Sequence, residues 1–435
     1  MSGGRTTRWG YVAFAALLTG LASAPAQATD GYFQYGYGAR QKALGGAGVA
    51  DSRDATAASL NPAGLVDVTD QVDFSATLFS PRREMTGGPG PRFTPEGTVE
   101  SNRNYFAIPN FAWSKHLNSN MFFDVAAISV YGNGGMNTSY PAVSRSFAEC
   151  GGGSGVFCGG KMGVDLQQMF ISLALAKRIA PNMSVGVAPI IARQQIKLKG
   201  LGAFAPMSSD PANLTGNGYD ESWGAGIRVG FQWAITPNIR LGVAGNSRVY
   251  MQEFEKYSGL FAEQGDFDIP ASIQGGIAID LKPNLTFMAD YKYINYSSIK
   301  SISNPSTNAA PLGDDNGPGF GWNDVNIFKF GLEWRATHDM TFRVGYSHTD
   351  NPIQSRDVMF NVIAPGVVQD HFTGGAEFQL SENLALELAG AYVPEVSVKG
   401  IEQNGTNHPV EISMDQFEVT AGIKYRLSNP VEPLK

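Results

Sequence analysis

A short unit returns six times along this chain and leaves few folds open to it. An amphipathic run ends in a turn built on Asn or Asp, and a second amphipathic run follows at once. The turn residues are Asn118, Asn182, Asn238, Asn284, Asp339 and Asn383, spaced by subtraction at 64, 56, 46, 55 and 44 residues. Each interval has room for two strands and one long loop. Trp113, Trp233, Trp334 and Phe378 each stand five residues before their turn residue. Very tight turns alternating with very long loops are unusual in a soluble sandwich. They are the habit of a transmembrane β-barrel, whose two ends face different compartments.

The runs alternate with period two, as strands with two different faces must. From Trp223 to Ile235 one face reads Trp223, Ala225, Ile227, Val229, Phe231, Trp233 and Ile235, and the other is glycine with Arg228 and Gln232. From Ile239 to Gln252 the apolar face is Ile239, Leu241, Val243, Val249 and Met251. Asp290, Lys292, Arg343, Glu418, Lys424 and Arg426 fall on the faces opposite the apolar ones. Charge of that density suits a hydrated or plugged lumen and would be intolerable in a dry sandwich core. Six hairpins give twelve strands. One more near Gln71–Ser80 and one over Ser413–Leu427 make about fourteen, an even number that puts both barrel ends in the periplasm. The four aromatics before the turns then form the periplasmic girdle.

The first 28 residues have the make-up of a secretory signal: Arg5 and Arg8, an apolar stretch Tyr11–Leu21, and Ala26-Gln27-Ala28 at the cleavage point. After it no apolar stretch approaches the roughly 20 residues of a membrane helix. A membrane location therefore requires a closed barrel, since only helices and barrels satisfy every backbone group in lipid. The expected organisation is a signal over 1–28, a non-barrel segment over 29–69, a barrel over 70–428 and a short periplasmic tail over 429–435. Charged residues are only 16% of the chain, against roughly 25% in soluble domains. Without Arg5 and Arg8 the mature chain keeps 30 of 32 basic residues against 39 acidic ones, a net of −9. That balance gives no nucleic-acid footprint. Cys150 and Cys158 are the only cysteines. In an exported chain their spacing suggests a small disulfide loop, the alternatives being free thiols or a poor zinc pair. No metal site or cofactor is expected.

Residues 29–69 do not alternate. They are aromatic at the start (Tyr32, Phe33, Tyr35, Tyr37), then rich in small residues, and they end in Asn61-Pro62-Ala63-Gly64. Such a segment in front of a barrel reads better as a plug than as a solvated tail. Gly38 to Val66 resembles the hatch of the FadL/TodX family of outer-membrane transporters, with Asn61, Pro62 and Ala63 as the strongest match. Weaker similarity runs on through Ile108-Pro109-Asn110, Val130-Tyr131-Gly132, Gly321-Trp322-Asn323-Asp324 and Arg343-Val344-Gly345-Tyr346.

The resemblance implies a fourteen-stranded barrel with an N-terminal hatch in the lumen, in the outer membrane of a Gram-negative bacterium. It implies transport of long-chain fatty acids or aromatic hydrocarbons by hatch-gated diffusion. A ligand would be caught between the third and fourth external loops, here Leu201, Phe204, Met207 and Leu214 with Tyr257, Leu260 and Phe261. The alternative for these residues is loops packing on one another. It would leave sideways at a kink in the third strand, mapped to Tyr131-Gly132, where an ordinary strand end is the other reading. Phe33 would fill the pocket. Arg193, Lys197 and Lys199, read as inward, would pair with a carboxylate or balance lumen acids. The expected partners are the hydrophobic ligand and outer-membrane lipid with lipopolysaccharide. No TonB coupling is expected, and the chain reads as a monomer. An outer-membrane lipid-modifying enzyme is the second hypothesis. It is disfavoured because no Gly-x-Ser-x-Gly elbow occurs and the histidines best placed to act, His348 and His371, merely flank one external loop.

Overall fold

A computed structural model describes residues 30–90, 93–403 and 407–428; the signal over 1–28 and the tail over 429–435 lie outside them. Fourteen antiparallel strands close into a barrel. The first seven are β1 (Gln71–Gly87), β2 (Phe106–His116), β3 (Val125–Asn137), β4 (Gly163–Ala180), β5 (Met183–Lys199), β6 (Asp220–Thr236) and β7 (Ile239–Asn246). The rest are β8 (Ser272–Lys282), β9 (Leu285–Ile294), β10 (Val325–Arg335), β11 (Met340–Thr349), β12 (Asp370–Gln379), β13 (Leu384–Ile401) and β14 (Pro409–Arg426). Each pairs with its sequence neighbours, and β1 closes on β14 from Gln71↔Arg426 to Gly87↔Val410.

Three of the tight turns have one construction. Pro181-Asn182, Pro237-Asn238 and Pro283-Asn284 are two-residue connections, each with a register shift in the strand just before it. Proline fixes φ and supplies no ladder donor, so it belongs where pairing stops. Trp113 and Trp334, five residues before their turns, are 38% and 47% exposed and face outward, as an interfacial girdle requires.

The polarity of the two faces inverts partway up the wall. Low on β1 the inward residues are Asp73, Ser75 and Thr77 and the outward ones Phe74, Ala76 and Leu78; higher up Phe79 and Met85 point inward and Arg82 and Glu84 outward. On β14 the inward set runs from Lys424 and Glu418 up to Met414, Ile412 and Val410. The strands therefore run beyond the bilayer into an extracellular half with a mainly apolar interior, in which Arg83 is an inward cation. This corrects the sequence reading at both ends: β1 continues to Gly87 rather than Ser80, and β14 begins at Pro409.

A second correction concerns Ile239 to Gln252, which is not one strand. β7 stops at Asn246, and Val249 turns inward to bridge Ile269. Tyr250 and Met251 then rejoin β6 opposite Ala225 and Gly224. The Ser247 hydroxyl accepts a hydrogen bond from Ile227 N (3.1 Å), replacing a ladder bond where the phase slips.

Residues 30–70 sit inside the barrel as short helical turns, Gly38–Ala43, Ala55–Ser59 and Pro62–Asp67. Ion pairs hold this segment to the wall: Arg40 to Glu333 on β10 (2.9 Å), Lys42 to Glu418 on β14, and Asp51 to Arg240 on β7 (2.9 Å). Asn61 caps the last turn by accepting from Ala63 N (3.1 Å), and its amide donates to Val49 O (2.7 Å) and to Phe231 O on β6 (3.1 Å). Leu44 and Gly45 pass so close to β11 that a Cβ at Gly345 would stand 2.2 Å from the Leu44 carbonyl carbon. Gly345→Val is therefore expected to lower the thermal unfolding temperature, the cost of overpacking being about 1–3 kcal/mol or more. Gly374→Val, one residue away across the ladder with nothing nearer than 3.6 Å, should not. Equal melting of the two variants would show that the segment does not press on β11.

Candidate functional site

Two apolar sites lie one above the other on the extracellular side of the plug. The outer one is a groove of about 660 Å³ among the external loops. Leu201, Phe204, Met207 and Leu260 line it, together with Phe93, Phe157, Leu312, Met359, Phe360 and Ile363. Phe93, Phe157 and Phe204 form a ring cluster with centroids 5.3–5.7 Å apart. So the groove draws on the first, second, fifth and sixth loops as well as the third and fourth. Phe157 belongs to the loop closed by Cys150 and Cys158, which are joined with their Cα atoms 5.3 Å apart. Its presence inside that cysteine loop was the signal available in the sequence.

Three residues read as groove-lining lie elsewhere. Tyr257 is buried below the groove, its hydroxyl donating to Gly218 O (2.5 Å) and accepting from Leu198 N (3.0 Å). Phe261 packs on Phe254 and Phe267, and Leu214 is buried. For these three, loop-on-loop packing is what the structure contains.

Arg193, Lys197 and Lys199 are a further correction, because they point outward. Their inward neighbours on β5 are Ile190, Ala192, Gln194, Ile196 and Leu198. At that height the lumen is apolar and the outer face is already above the lipid, so the usual assignment of faces is reversed. Arg193 pairs with Glu221 on the outer surface (2.5 Å).

The inner site is an aromatic cage closed by the chain's own N-terminal residues. Tyr32, Phe33, Tyr296 and Trp322 meet at centroid distances of 4.9–5.9 Å, with Phe267 at 6.3 Å from Tyr32. Phe33 is 3% exposed. The space left beside Tyr32 and Trp322 is about 30 Å³, the volume of one water. Asp30 anchors the segment. Its carboxylate accepts from Lys292 (3.0 Å), Lys329 (3.1 Å) and the Thr349 hydroxyl (3.3 Å). Burial alone would raise the Asp30 pKa, but Lys329 and Lys292 outweigh it and hold it at about 2.

The third strand bends at this cage. β2 and β3 pair only as far as Asn110↔Tyr131, so beyond Tyr131 the two strands part. On the other side β3 shifts register against β4 between Gly132 and Gly134. The backbone released there turns inward to the N-terminal segment. Gln34 N donates to Asn133 O (3.0 Å), the Gln34 amide to Gly132 O (2.6 Å), and Gly135 N to Tyr32 O (3.0 Å). A side chain at Gly134 would meet Tyr32 O at 2.2 Å, so a glycine is needed for this approach. Tyr131 packs its ring on Tyr37 (4.4 Å) and accepts from Arg228 (3.0 Å). Residues 32–34 thus pair from the lumen side with the stretch of β3 that has parted from β2.

His348 pairs with Asp370 on the outer face (2.8 Å), and His371 is buried against the Tyr35 ring (5.2 Å). The two imidazoles do not converge on one site.

The sequence matches the family described as outer membrane protein transport protein (OMPP1/FadL/TodX) over residues 15–426. No curated protein matches it. Among solved structures it is similar to the toluene transporter TodX of Pseudomonas putida, at 16% identity and a TM-score of 0.67, covering 91% of this chain and 99% of that one. A FadL homologue of Pseudomonas aeruginosa gives 15% identity and 0.67, over 93% and 100%. The toluene transporter TbuX of Ralstonia pickettii gives 18% and 0.62, over 91% and 99%. At such identities the likeness speaks to the fold.

Proposed function

The chain belongs to the outer membrane protein transport family (OMPP1/FadL/TodX), and from that premise we propose that it imports long-chain fatty acids or similar hydrophobic molecules by gated diffusion. A ligand partitions into the outer groove, where the apolar lining replaces water around its tail at about 25 cal/mol per Å² removed from water. It then takes the place of Tyr32 and Phe33 in the aromatic cage. It leaves sideways through the gap between β2 and β3, beside which residues 32–34 are held to β3 at rest. The observation carrying this reading is the junction of plug and wall, since the backbone that closes the cage is hydrogen-bonded to β3 where that strand parts from β2. Straight passage toward the periplasm is opposed by the ion-paired plug. No ligand chemistry is required, consistent with a family of transporters.

The runner-up ligand class is aromatic hydrocarbon, favoured by the toluene transporters among the structural neighbours. Import of labelled palmitate and of labelled toluene should be measured in cells carrying the wild-type protein or Gly132→Trp, which fills the gap. Import of the true ligand is expected to drop to the level of cells lacking the protein. Undiminished import of both compounds would sink the sideways exit, and which compound responds identifies the class.

A further inference from the structure

We propose that a basic crevice on the outer wall, above the lipid-facing belt, binds a phosphate group carried on an outer-leaflet glycolipid. This goes beyond the transport reading and does not depend on what the lumen carries. The crevice holds about 90 Å³ and is lined by Arg103, Thr138, Ser139, Asp165, Lys197, Lys199 and Tyr219, among others. That is the space of about three waters, enough for one phosphate and too little for a sugar ring.

Its charge runs against that of the protein, which carries −7 overall. Arg103, Lys161 and Lys197 all stand close enough to Lys199 to act on its charge. The one carboxylate in the crevice, Asp165, is already engaged by Arg103 (2.5 Å), the Tyr219 hydroxyl (2.7 Å), Asn137 (2.8 Å) and Gln167 (3.0 Å). It orients the guanidinium and is the single carboxylate set against Arg103, Lys197 and Lys199 in the crevice. Lys197 lies over the Tyr219 ring (5.2 Å) and Lys199 donates to Ser139 Oγ (3.2 Å). Lys161, Lys197 and Lys199 take part in no ion pair among the described residues. A group with several acceptor oxygens and more than one negative charge matches these donors.

Height selects the source. Outward residues on β4 change from Met169, Ile171 and Leu173 to Gln167 and Asp165 on going up, and on β5 from Ile191 to Arg193 and Lys197. Asp165 pairs with Lys197, four residues above Met169. At about 3.3 Å per residue on a strand tilted by about 40° that is roughly 10 Å above the apolar belt. A phosphate on the sugars of a glycolipid reaches this level more readily than a glycerol phosphate in a headgroup layer of about 5–7 Å. The crevice also stands over the gap between β2 and β3, because Arg103 precedes β2 and Thr138–Ser139 follow β3.

The test is binding of a phosphorylated lipid A-type glycolipid, its dephosphorylated counterpart and inorganic phosphate to the full-length protein in detergent, followed by native mass spectrometry. The phosphorylated lipid is expected to bind best. Lys197→Ala/Lys199→Ala should weaken it roughly thirtyfold, the effect of two lysines at a charged lipid surface. Lys197 is exposed and Lys199 half-buried on the outer face, and neither has an ion pair to lose among the described residues, so folding is preserved, and unchanged heat-shifted gel mobility will verify it. Lys399→Ala, on the far wall at β13, should change nothing. The proposal is overturned by equal binding of the dephosphorylated lipid, by inorganic phosphate binding as tightly as the lipid, by an unaffected double variant, or by equal weakening in Lys399→Ala.

Discussion

Asp30→Ala is expected to speed the initial uptake of labelled ligand and to expose the Gly135 amide to hydrogen exchange. The magnitude follows from what docks the N-terminal segment. Three hydrogen bonds join residues 32–34 to the bent third strand, and two more link Tyr296 to Asp30 O and Tyr32 N. At about 1 kcal/mol net each, they supply roughly 5 kcal/mol. Removing the Asp30 carboxylate leaves Lys292 and Lys329 buried together without it, and breaking a buried pair costs about 3–5 kcal/mol. The penalty is as large as the bonds, so the undocked population should rise by roughly a hundred- to several-thousandfold. Lys329 still donates to Tyr35 O (2.7 Å), which keeps the effect nearer the lower figure. If uptake and Gly135 exchange both stay at wild-type values, residues 30–34 are not the gate.

The same carboxylate fixes the sign of the pH response. Its pKa is lowered from 3.8 to about 2 by the two lysines acting against burial. A lowered acid contributes its full stabilisation above the ordinary value and loses it as pH falls through the lowered one. The carboxylate's contribution to the latch should therefore be complete above about 4 and be lost as pH falls from there toward 2.

How much of this was legible in the sequence varies with the physics of each part. The tight turns and alternating faces gave the strand number, because a wall between lipid and lumen imposes period two whatever the ligand. Inward Asp290, Arg343 and Lys424 were readable for the same reason. Arg193 and Lys197 were misread because the rule that charge faces the lumen holds only at bilayer height. Higher up the interior is apolar, and the rule runs the other way. The glycines at 132 and 134 marked a weak point in β3, but nothing local says that Tyr32 to Gln34 pair with it. Those residues are about 100 positions away, and two of the three bonds run between backbone atoms that carry no sequence identity. Phe93, Met359 and Phe360 were missed for a related reason: an apolar residue on a long loop looks the same in a groove or in loop packing.

Glu333→Ala should turn a non-conducting barrel into one with a steady ion current in planar bilayers, and should lower its unfolding temperature. Glu333 is where the plug's cations meet those of the wall. It accepts from Arg40 (2.9 Å) and Arg343 (2.9 Å) and lies within 3.3–3.4 Å of Arg53 and Arg335. Arg40 keeps Asp51 (2.7 Å), and Arg343 keeps Glu377 (2.5 Å), so no guanidinium is wholly stranded. The four nevertheless converge on a point from which the shared negative charge has gone, with Glu333 and Arg343 both buried. The cost is set at about 3 kcal/mol, the lower end for a broken buried pair, with repulsion between plug and wall added to it. That repulsion acts between Arg40 and Arg343, on opposite sides of the junction, and so drives the two apart. A variant that unfolds earlier but does not conduct would mean that the ties left in place, Lys42 to Glu418, Asp51 to Arg240 and the Asn61 amide to β6, keep the plug seated. Conduction without palmitate leaking inward faster would separate the ion path through the plug from the sideways path at β3, which depends on Asp30 instead.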